Sequence, residues 1–410
     1  MRRARRFRRF KAPRRADPFR RRRWPKRLAI GTGVFFVIII LLVGGVVWYA
    51  NWRFDQIHRE VVAGLTAPVP GKPFDVLLVG SDSRQFVDDS GEAGEFGSAS
   101  SVSGQRSDVI IVARIVPATH EVRLLSIPRD TYVNIPGSVT DISGPNRINA
   151  AYNSGPSLLV ETINQAFQIP INYYAEVNFE GFAGMVNALG GIGLDFRYPV
   201  KDAYSGLGIT RTGCHLVLGA QALALVRSRH LYYFENGVWN YDGLSDFSRI
   251  QRQDAFFRAV ADKIGSIATN PFALNSFLSA ATQNVTVDKS LSNGELLSIA
   301  RMFRSFSSNE LVTETLPTIP YTTSGGADVL IPAVVPDEAT ISAFLAFGST
   351  PSATTSVSIH PTTKDHSVLV SSDSASAVSV TTLPVGKSVS SDQVVYNTQL
   401  EPWNPVPCNP

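Results

Sequence analysis

The stretch FDVLLVG at residues 74–80 is an almost unbroken apolar run, and two similar runs follow it, DVIIVARI at 108–115 and VRLLSI at 122–127. Continuous rather than alternating apolar character indicates strands that are covered on both faces. The segment PATH at 117–120 is short enough to join the second and third runs as a hairpin. We therefore expect the three runs to form an antiparallel meander inside a covered sheet.

Helical patterns surround and follow these runs. One helix begins at Pro156, a second ends at Gly190, and a third begins near residues 245–246 and brings Arg249 and Gln253 together on one face. Strands with interspersed helices predict a three-layer α/β sandwich with a central mixed, largely antiparallel sheet. We expect this domain to cover about residues 72–348.

The N-terminal part has a strong charge asymmetry. Residues 1–27 carry 15 Lys or Arg and one acid, whereas the whole chain has a net charge of +4, so the remainder is net acidic. The next 23 residues, 28–50, contain no charge and span roughly 34 Å as a helix, enough for a bilayer core of about 30 Å. A basic cytoplasmic tail, a single transmembrane helix and an extracellular domain are the expected arrangement. A cleaved signal peptide is the alternative, although the run ends in bulky residues.

The remaining segments divide the outer part. Residues 51–71 are expected to form a stalk, and residues 86–104, rich in Gly, Ser and acids, form either a lid or a plain surface loop. Residues 349–410 form a Ser/Thr-rich tail or a small β appendage. The two cysteines, Cys214 and Cys408, lie on the outer side, where an oxidising compartment permits a disulfide, and two unrelated thiols are the alternative.

Charged residues border each apolar run. In the predicted meander, the end of the first strand, the start of the second and the end of the third lie on one edge of the sheet. Six charged residues then converge there: Asp82, Arg84, Arg106, Asp108, Arg129 and Asp130. Three further arginines occur later in the chain: Arg227, Arg229 and Arg249.

This set of residues suits a phosphate ligand with a divalent cation. Mg²⁺ is held by one or two carboxylates with phosphate oxygens, and Asp82 and Asp108 are the natural pair. The planar guanidinium fork donates two parallel charge-assisted bonds to phosphate. Arg227 and Arg229 are two residues apart, so both reach one ligand only if that segment is extended. Scattered surface ion pairs are the alternative.

Other functional classes fit the sequence less well. The sequence has no Gly-x-x-x-x-Gly-Lys loop, so nucleotide binding by a P-loop is not expected. The serines and histidines show no spacing typical of a hydrolase triad. The basic tail lacks helical periodicity and contains three prolines, so attraction to anionic lipid explains it better than nucleic-acid binding.

The order and spacing of several blocks resemble the LytR-CpsA-Psr family of membrane-anchored cell-wall transferases over about residues 74–320. The blocks are FDVLLVGSDSR, RSDVIIVARI, LLSIPRDTYVNIPG, RINAAY, NFEGFAGMVNALGGI, GAQALALVRSRH and DFSRIQRQ. The composition and the segment HLYYFENGVWNYDG are similar to those of actinobacterial members. The sequence leaves open which glycopolymer is carried, arabinogalactan, teichoic acid or capsule.

The resemblance implies a donor glycan linked to polyprenyl (pyro)phosphate and a peptidoglycan acceptor. It implies that Asp82 and Asp108 hold Mg²⁺ and that Arg129 takes part in catalysis. It also implies a set of phosphate-binding residues: Arg84, Arg106, Arg129, Arg147, Arg227, Arg229, Arg249 and Gln253. Arg147 stands where family members often have Lys.

The reaction that the resemblance implies is an in-line phosphoryl transfer to a sugar hydroxyl. A general base is not identified: Asp82, Asp108 or Asp130 is available, or none is required, and Asp130 is alternatively a structural partner of Arg129. Two other functions are considered, a polyprenyl-pyrophosphate phosphohydrolase and a non-catalytic membrane regulator or wall-polymer-binding protein.

Overall fold

The computed structural model describes residues 45, 48–49, 51–81, 107–137, 144–244, 246–267, 270–303, 306, 308–349 and 401–409. The basic tail, nearly all of the predicted membrane span, the 86–104 segment and most of the 349–410 tail lie outside these residues. Within the described ranges no helix is both long and apolar enough to cross a membrane. The described residues from Arg53 onward form one compact unit.

The strands have the following bounds in chain order: β1 (His58–Glu60), β2 (Phe74–Ser81), β3 (Ser107–Val116), β4 (Glu121–Ser126), β5 (Tyr132–Ile135), β6 (Gly144–Arg147), β7 (Tyr173–Asn178), β8 (Ile192–Phe196), β9 (Val200–Asp202), β10 (Leu207–Ile209), β11 (Gly213–Val217), β12 (Tyr232–Glu235), β13 (Val238–Tyr241), β14 (Val285–Asp288), β15 (Leu311–Thr315), β16 (Thr318–Thr322), β17 (Asp328–Pro332) and β18 (Val406–Pro407). The helices are α1 (Asn149–Tyr152), α2 (Pro156–Phe167), α3 (Phe179–Ala188), α4 (Gly219–Arg227), α5 (Asp246–Ile267), α6 (Pro271–Asn284), α7 (Asn293–Met302) and α8 (Val334–Ala346).

The main sheet has the order β1-β14-β7-β2-β3-β4-β15. The expected meander is present, because β2 pairs antiparallel with β3 and β3 pairs antiparallel with β4. The sheet as a whole is mixed, with β1–β14, β2–β7 and β4–β15 parallel. The expected mixed sheet is confirmed, but it is less antiparallel than expected, because three of the six strand pairings are antiparallel and three are parallel. Strands β7 and β15 are reached through helical connections, which allow the parallel orientation that a tight turn forbids.

Both faces of the main sheet are covered, as the continuous apolar runs predicted. Leu77 of β2 belongs to a buried cluster with Leu159 of α2 and Phe344 of α8. Its neighbour Val76 belongs to a second cluster on the opposite face, with Met302 of α7. Alternate residues of a strand point to opposite faces, so the sheet lies between two helical layers. Burial of each such side chain contributes about 1.5 to 3 kcal/mol.

The segment expected to be a stalk, 51–71, contributes a strand to this sheet. Residues of β1 pair in parallel with β14, and the Lys289 amide donates to the Glu60 carbonyl oxygen over 2.8 Å. Phe54 is buried. The stalk expectation therefore needs correction, because the otherwise unpaired edge of β14 is satisfied by chain from this segment.

The described part of the C-terminal tail, 401–409, also packs on the domain. β18 pairs with β8, and Cys408 forms a disulfide with Cys214 of β11. Asn404 is buried, and its side chain is hydrogen-bonded to Ser248 and Arg252 of α5. The chain end is thus held covalently and by buried polar contacts.

Asp202, the last residue of β9, fastens the segment that follows α4. Its Oδ2 accepts hydrogen bonds from the Ser228 hydroxyl (2.7 Å) and the backbone amides of Arg229 (3.0 Å) and His230 (2.9 Å), and its Oδ1 accepts one from the Tyr204 amide (2.9 Å). Burial by itself would raise the pKa of Asp202, but these hydrogen bonds hold that pKa below its usual value of 3.8.

Replacement of Cys408 by Ser is expected to lower the free energy of unfolding by about 2 to 5 kcal/mol, because the bond closes a loop of 194 residues. Urea unfolding of the full chain measures this change. Since the two cysteines form one bond, the Cys214→Ser/Cys408→Ser double variant should cost no more than either single variant. Additive losses would show that the thiols act independently.

Replacement of Asp202 by Asn is expected to lower the free energy of unfolding at pH 7 by about 1 to 3 kcal/mol, because charged hydrogen bonds are lost. The lowered pKa means that the carboxylate stabilises the fold above its unfolded pKa and loses this effect as the pH falls through the folded pKa. The difference between wild type and Asp202→Asn should therefore shrink below about pH 4. An equal difference at pH 7 and pH 3 in urea unfolding would contradict this role.

Candidate functional site

A cavity of about 180 Å³ lies where β3, the chain after β4, the β9–β10 turn and the ends of α4 and α5 meet. Ten residues line it: Val109, Arg129, Asp202, Tyr204, Ser205, Val226, Arg227, Arg229, His230 and Arg249. Four of the lining residues are arginines predicted from the sequence to bind phosphate. The structure therefore brings together arginines that are up to 120 positions apart in the sequence.

Arg227 and Arg229 reach the cavity through a change of backbone conformation. Arg227 is the last residue of α4, and Ser228 is extended (φ −63°, ψ 121°). The sequence analysis required an extended segment for both side chains to reach one ligand. The structure meets that requirement with one extended residue after a helix end, and both arginines line the same cavity.

Helix α4 is held close to α3 at its first residue. A Cβ atom at Gly219 would lie 2.2 Å from the carbonyl oxygen of Ala183, so no larger residue fits there without movement of the helices. At the other end of α4, the guanidinium carbon of Arg227 lies 4.4 Å from the centre of the Phe179 ring. This cation–π contact orients Arg227 at the cavity wall.

Arg249 and Gln253 lie one turn apart on α5, and both are buried. Arg249 lines the cavity, whereas Gln253 does not. The Gln253 Nε2 atom donates to the carbonyl oxygen of Val226 over 2.9 Å. This hydrogen bond from Gln253 therefore holds the last turn of α4, which carries Arg227, in place.

Two carboxylates connect the arginines. Asp130 lies 3.2 Å from a nitrogen of Arg229, 3.5 Å from one of Arg147 and 3.6 Å from one of Arg129. Asp246, at the start of α5, lies 3.0 Å from nitrogens of both Arg229 and Arg249. Arg229 thus bridges the two carboxylates.

The sequence analysis did not select Asp246. Asp246 precedes Arg249 by three residues at the start of a predicted helix, and this spacing could have predicted their ion pair. Among the described residues, five arginines in and beside the cavity face three carboxylates, Asp130, Asp202 and Asp246, so this described part of the site has a positive formal charge. An anionic ligand is the expected occupant.

Arg147 is placed differently from the other predicted arginines. It is the last residue of β6 and does not line the cavity. Its Nε atom lies 3.5 Å from Asp130, and its Nη2 atom donates to the Asp328 carbonyl oxygen over 2.8 Å. It is connected to the cavity through Asp130.

Four other predicted site features, Asp82, Arg84, Arg106 and the Asp108 side chain, lie outside the described residues. Ser81 is paired with Ser107 in the β2–β3 register, and these residues directly precede Asp82 and Asp108 in the sequence. Val109, which follows Asp108, lines the cavity. Among the residues that the structure describes, no group of three or more His, Cys, Asp or Glu is placed to hold a metal ion.

A buried polar cluster fixes the end of β2, and the sequence analysis missed it. The Ser81 hydroxyl donates to Glu176 of β7, and the Tyr174 hydroxyl donates to the other carboxylate oxygen of Glu176 over 2.8 Å. Burial, with the Glu176 charge nearby, raises the pKa of both Tyr152 and Tyr174, so both phenols remain protonated donors. The cluster holds the residue that directly precedes Asp82.

Comparison with known proteins shows which family the chain resembles. Residues 55–334 match the family model described as the LytR_cpsA_psr family. The chain is 33% identical over 293 residues to the probable cell wall biosynthesis protein LcpB of Corynebacterium glutamicum, and the match covers 71% of this chain and 63% of the relative. It is 29% identical over 297 residues to the polyisoprenyl-teichoic acid–peptidoglycan teichoic acid transferase TagV of Bacillus subtilis, with 68% of each covered.

Solved structures share the fold. A LytR-Csp2A-Psr enzyme from Actinomyces oris superposes with a TM-score of 0.56 at 25% identity, and covers 70% of this chain and 95% of the other. The crystal structure of B. subtilis TagV gives a TM-score of 0.51 at 26% identity, with 68% and 98% covered. Because the family model spans more than half of the sequence and includes every described cavity residue, the chain belongs to the LytR_cpsA_psr family.

Proposed function

We propose that this protein is a membrane-anchored phosphotransferase that moves a glycopolymer from a polyprenyl-(pyro)phosphate carrier to peptidoglycan. The observation that carries the proposal is that Arg129, Arg227, Arg229 and Arg249 line one cavity. The name of TagV describes the same class of reaction, with teichoic acid as the transferred polymer. The chain spans 63% of the length of its C. glutamicum relative, so donor and acceptor here are part of the proposal.

The arginines of the cavity would bind the phosphates of the donor and neutralise their negative charge. Each guanidinium keeps its charge and donates paired hydrogen bonds to phosphate oxygens. The hydrogen-bonded and ion-paired surroundings of Arg229 and Arg249 fix these donors before a ligand arrives, so little reorganisation is needed when charge develops. Such preorganised donors stabilise the negative charge that develops on the leaving phosphate when a pyrophosphate bond breaks.

The proposed step is an in-line displacement at the glycan-proximal phosphorus. A sugar hydroxyl of peptidoglycan forms the new P–O bond, the P–O bond to the polyprenyl phosphate breaks, and the hydroxyl proton is released. The arginines stabilise the departing polyprenyl phosphate. Asp130 is paired with three guanidiniums, which favours a role in holding them over a role as general base.

We propose that Asp82 and Asp108 hold a Mg²⁺ ion beside the arginines. Support comes from the pairing of Ser81 with Ser107, which directly precede the two aspartates, and from the position of Val109 in the cavity wall. Carboxylates together with phosphate oxygens are a donor set that suits Mg²⁺. The ion would neutralise charge on the phosphate oxygens.

The proposed location is the cell membrane, with the N-terminus in the cytoplasm and the cavity-bearing domain outside. This proposal is supported by the uncharged stretch at 28–50 and by the basic residues 1–27. The lipid carrier and the peptidoglycan acceptor both lie on that side, and the reaction needs no nucleotide because the donor bond is already activated.

Arg229→Ala is expected to lower kcat/KM for transfer by about 10²- to 10³-fold, since it removes an electrostatic stabiliser of the leaving group. The assay uses full-length protein in detergent, radiolabelled lipid-linked glycan and purified peptidoglycan. Arg229→Lys should recover part of the activity, because the charge returns without the bidentate fork. Arg197→Ala, an exposed arginine outside the cavity, is the matched control and should behave as wild type.

The fate of the label separates the candidate functions. Label on peptidoglycan supports the transferase, and label released only into solution would identify a phosphohydrolase. If wild type converts no donor, the catalytic proposal fails and a binding or regulatory function takes its place.

Chelation with EDTA is expected to abolish transfer, and added Mg²⁺ is expected to restore it. Asp82→Asn and Asp108→Asn should each lower transfer strongly and raise the Mg²⁺ concentration needed for half-maximal activity, because each removes an anionic ligand. Glu161→Gln on the exposed side of α2 is the control. Full activity in EDTA would show that the reaction requires no divalent ion.

A further inference from the structure

The β12–β13 hairpin presents four aromatic rings to solvent. Tyr232, Phe234, Trp239 and Tyr241 have exposed fractions between 38% and 48%. The rings form two cross-strand pairs, because Tyr232 lies opposite Tyr241 and Phe234 lies opposite Trp239. The ring centres in the pairs are 5.2 and 5.3 Å apart. We call these four residues the aromatic face.

The opposite side of the hairpin is anchored to the domain. Tyr233 points to that side, and its ring stacks on Trp403 with ring centres 4.6 Å apart and an interplanar angle of 3°. The Tyr198 hydroxyl donates to Glu235 over 2.7 Å. Strand β12 also pairs with β9, which joins the hairpin to a four-stranded sheet. The aromatic face is therefore a supported surface rather than a free loop.

The aromatic face continues from the cavity. Tyr204 and His230 both line the cavity, and their ring centres are 4.5 Å apart. From His230 the exposed residues alternate along the chain: His230, Tyr232 and Phe234 are exposed, whereas Leu231 is buried and Tyr233 is half-buried. At about 3.3 Å per residue, the path from His230 to Phe234 is roughly 13 Å. A chain that is attached to a phosphate in the cavity can follow this path.

The chemistry of the aromatic face suits sugar rings. The face of an aromatic ring carries negative charge density, which attracts the slightly positive C–H groups of a pyranose or furanose. Lys201 of β9 lies opposite Tyr232, and its Nζ atom is 4.0 Å from the Trp239 ring centre, so a hydrogen-bond donor stands beside the rings. Flat apolar rings with nearby donors match the alternating C–H and hydroxyl surfaces of a glycan.

A lipid surface fits the hairpin less well. Membrane-binding surfaces combine bulky aliphatic or aromatic residues with clustered basic residues. The tip of this hairpin is polar, with Glu235, Asn236 and Gly237, and Lys201 is the basic residue in contact with its rings.

We propose that the aromatic face binds the glycan chain of the lipid-linked donor, so that the sugars beyond the pyrophosphate stack on it while the phosphates lie in the cavity. This inference rests on the proposed transferase function. It makes the hairpin a determinant of donor specificity, because a donor with a longer glycan gains contacts that a short donor does not reach.

Two donors test this proposal: lipid-linked glycan extracted from the producing cells, and the same lipid trimmed by glycosidase to its first sugars. Full-length wild type should have a higher kcat/KM for the extended donor. Trp239→Ala and Tyr241→Ala should each lower this preference about tenfold, because each removes a stacking platform. Trp239→Phe should retain most of the preference, since it keeps an aromatic ring.

The matched control is Tyr321→Ala on β16, which removes an equally exposed tyrosine away from the hairpin and should leave the preference unchanged. If wild type transfers both donors and Trp239→Ala keeps the full preference, the glycan proposal is overturned. If wild type transfers neither donor, it is the transferase function that fails.

A membrane role has a separate readout. The full-length protein is placed in nanodiscs that contain brominated phospholipid, which quenches the fluorescence of tryptophans in contact with lipid. If the aromatic face binds glycan, the fluorescence of Trp239 should not be quenched. Wild type and Trp239→Phe should then lose the same fraction of their fluorescence. Stronger quenching of wild type than of Trp239→Phe would place the ring in the bilayer and would overturn the glycan proposal.

Discussion

Mutual repulsion among guanidinium groups is the physical constraint on which this domain depends. Two unit charges 4 Å apart interact by about 4 kcal/mol at an effective dielectric constant near 20, so arginines that share a small cavity need fixed counter-charges. Asp130 and Asp246 provide them, and Arg229 lies between the two. Among the described residues, the carboxylates offset part of the repulsion and leave a positive excess, which favours an anionic ligand.

A further arginine, Arg252, is buried beneath the cavity and also has fixed polar partners. Arg252 is completely buried on α5 and is ion-paired with Asp242 at 3.0 Å. The Arg252 Nη2 atom donates to the Ser228 carbonyl oxygen over 2.6 Å. Its Nη1 atom donates to the Oδ1 atom of Asn404, which lies in the C-terminal segment, over 2.8 Å. Burial without these partners would cost several kcal/mol. The chain end therefore contributes to the support of the segment that carries Arg227 and Arg229.

Much of the fold follows from local pattern. The runs in β2, β3 and β4 predicted a covered antiparallel meander, and the structure confirms it because continuous apolar character is stable only between two layers. The parallel partners of this meander were not predicted. Strand β7 reaches β2 only after α2, and β15 lies 185 residues beyond β4 in the chain, so neither pairing leaves a local signal.

For the site, the sequence by itself determined the residue types: arginines and aspartates beside apolar runs, in an order specific enough to indicate a family. Only the tertiary structure decided which of them share a cavity, because that depends on the extended Ser228, on the close contact at Gly219 and on Asp202. It also showed Asp246 as a partner of two arginines and Gln253 as a support beneath α4. The type of each residue can be read from the sequence, whereas the distance between two side chains depends on packing between elements that are far apart in the chain.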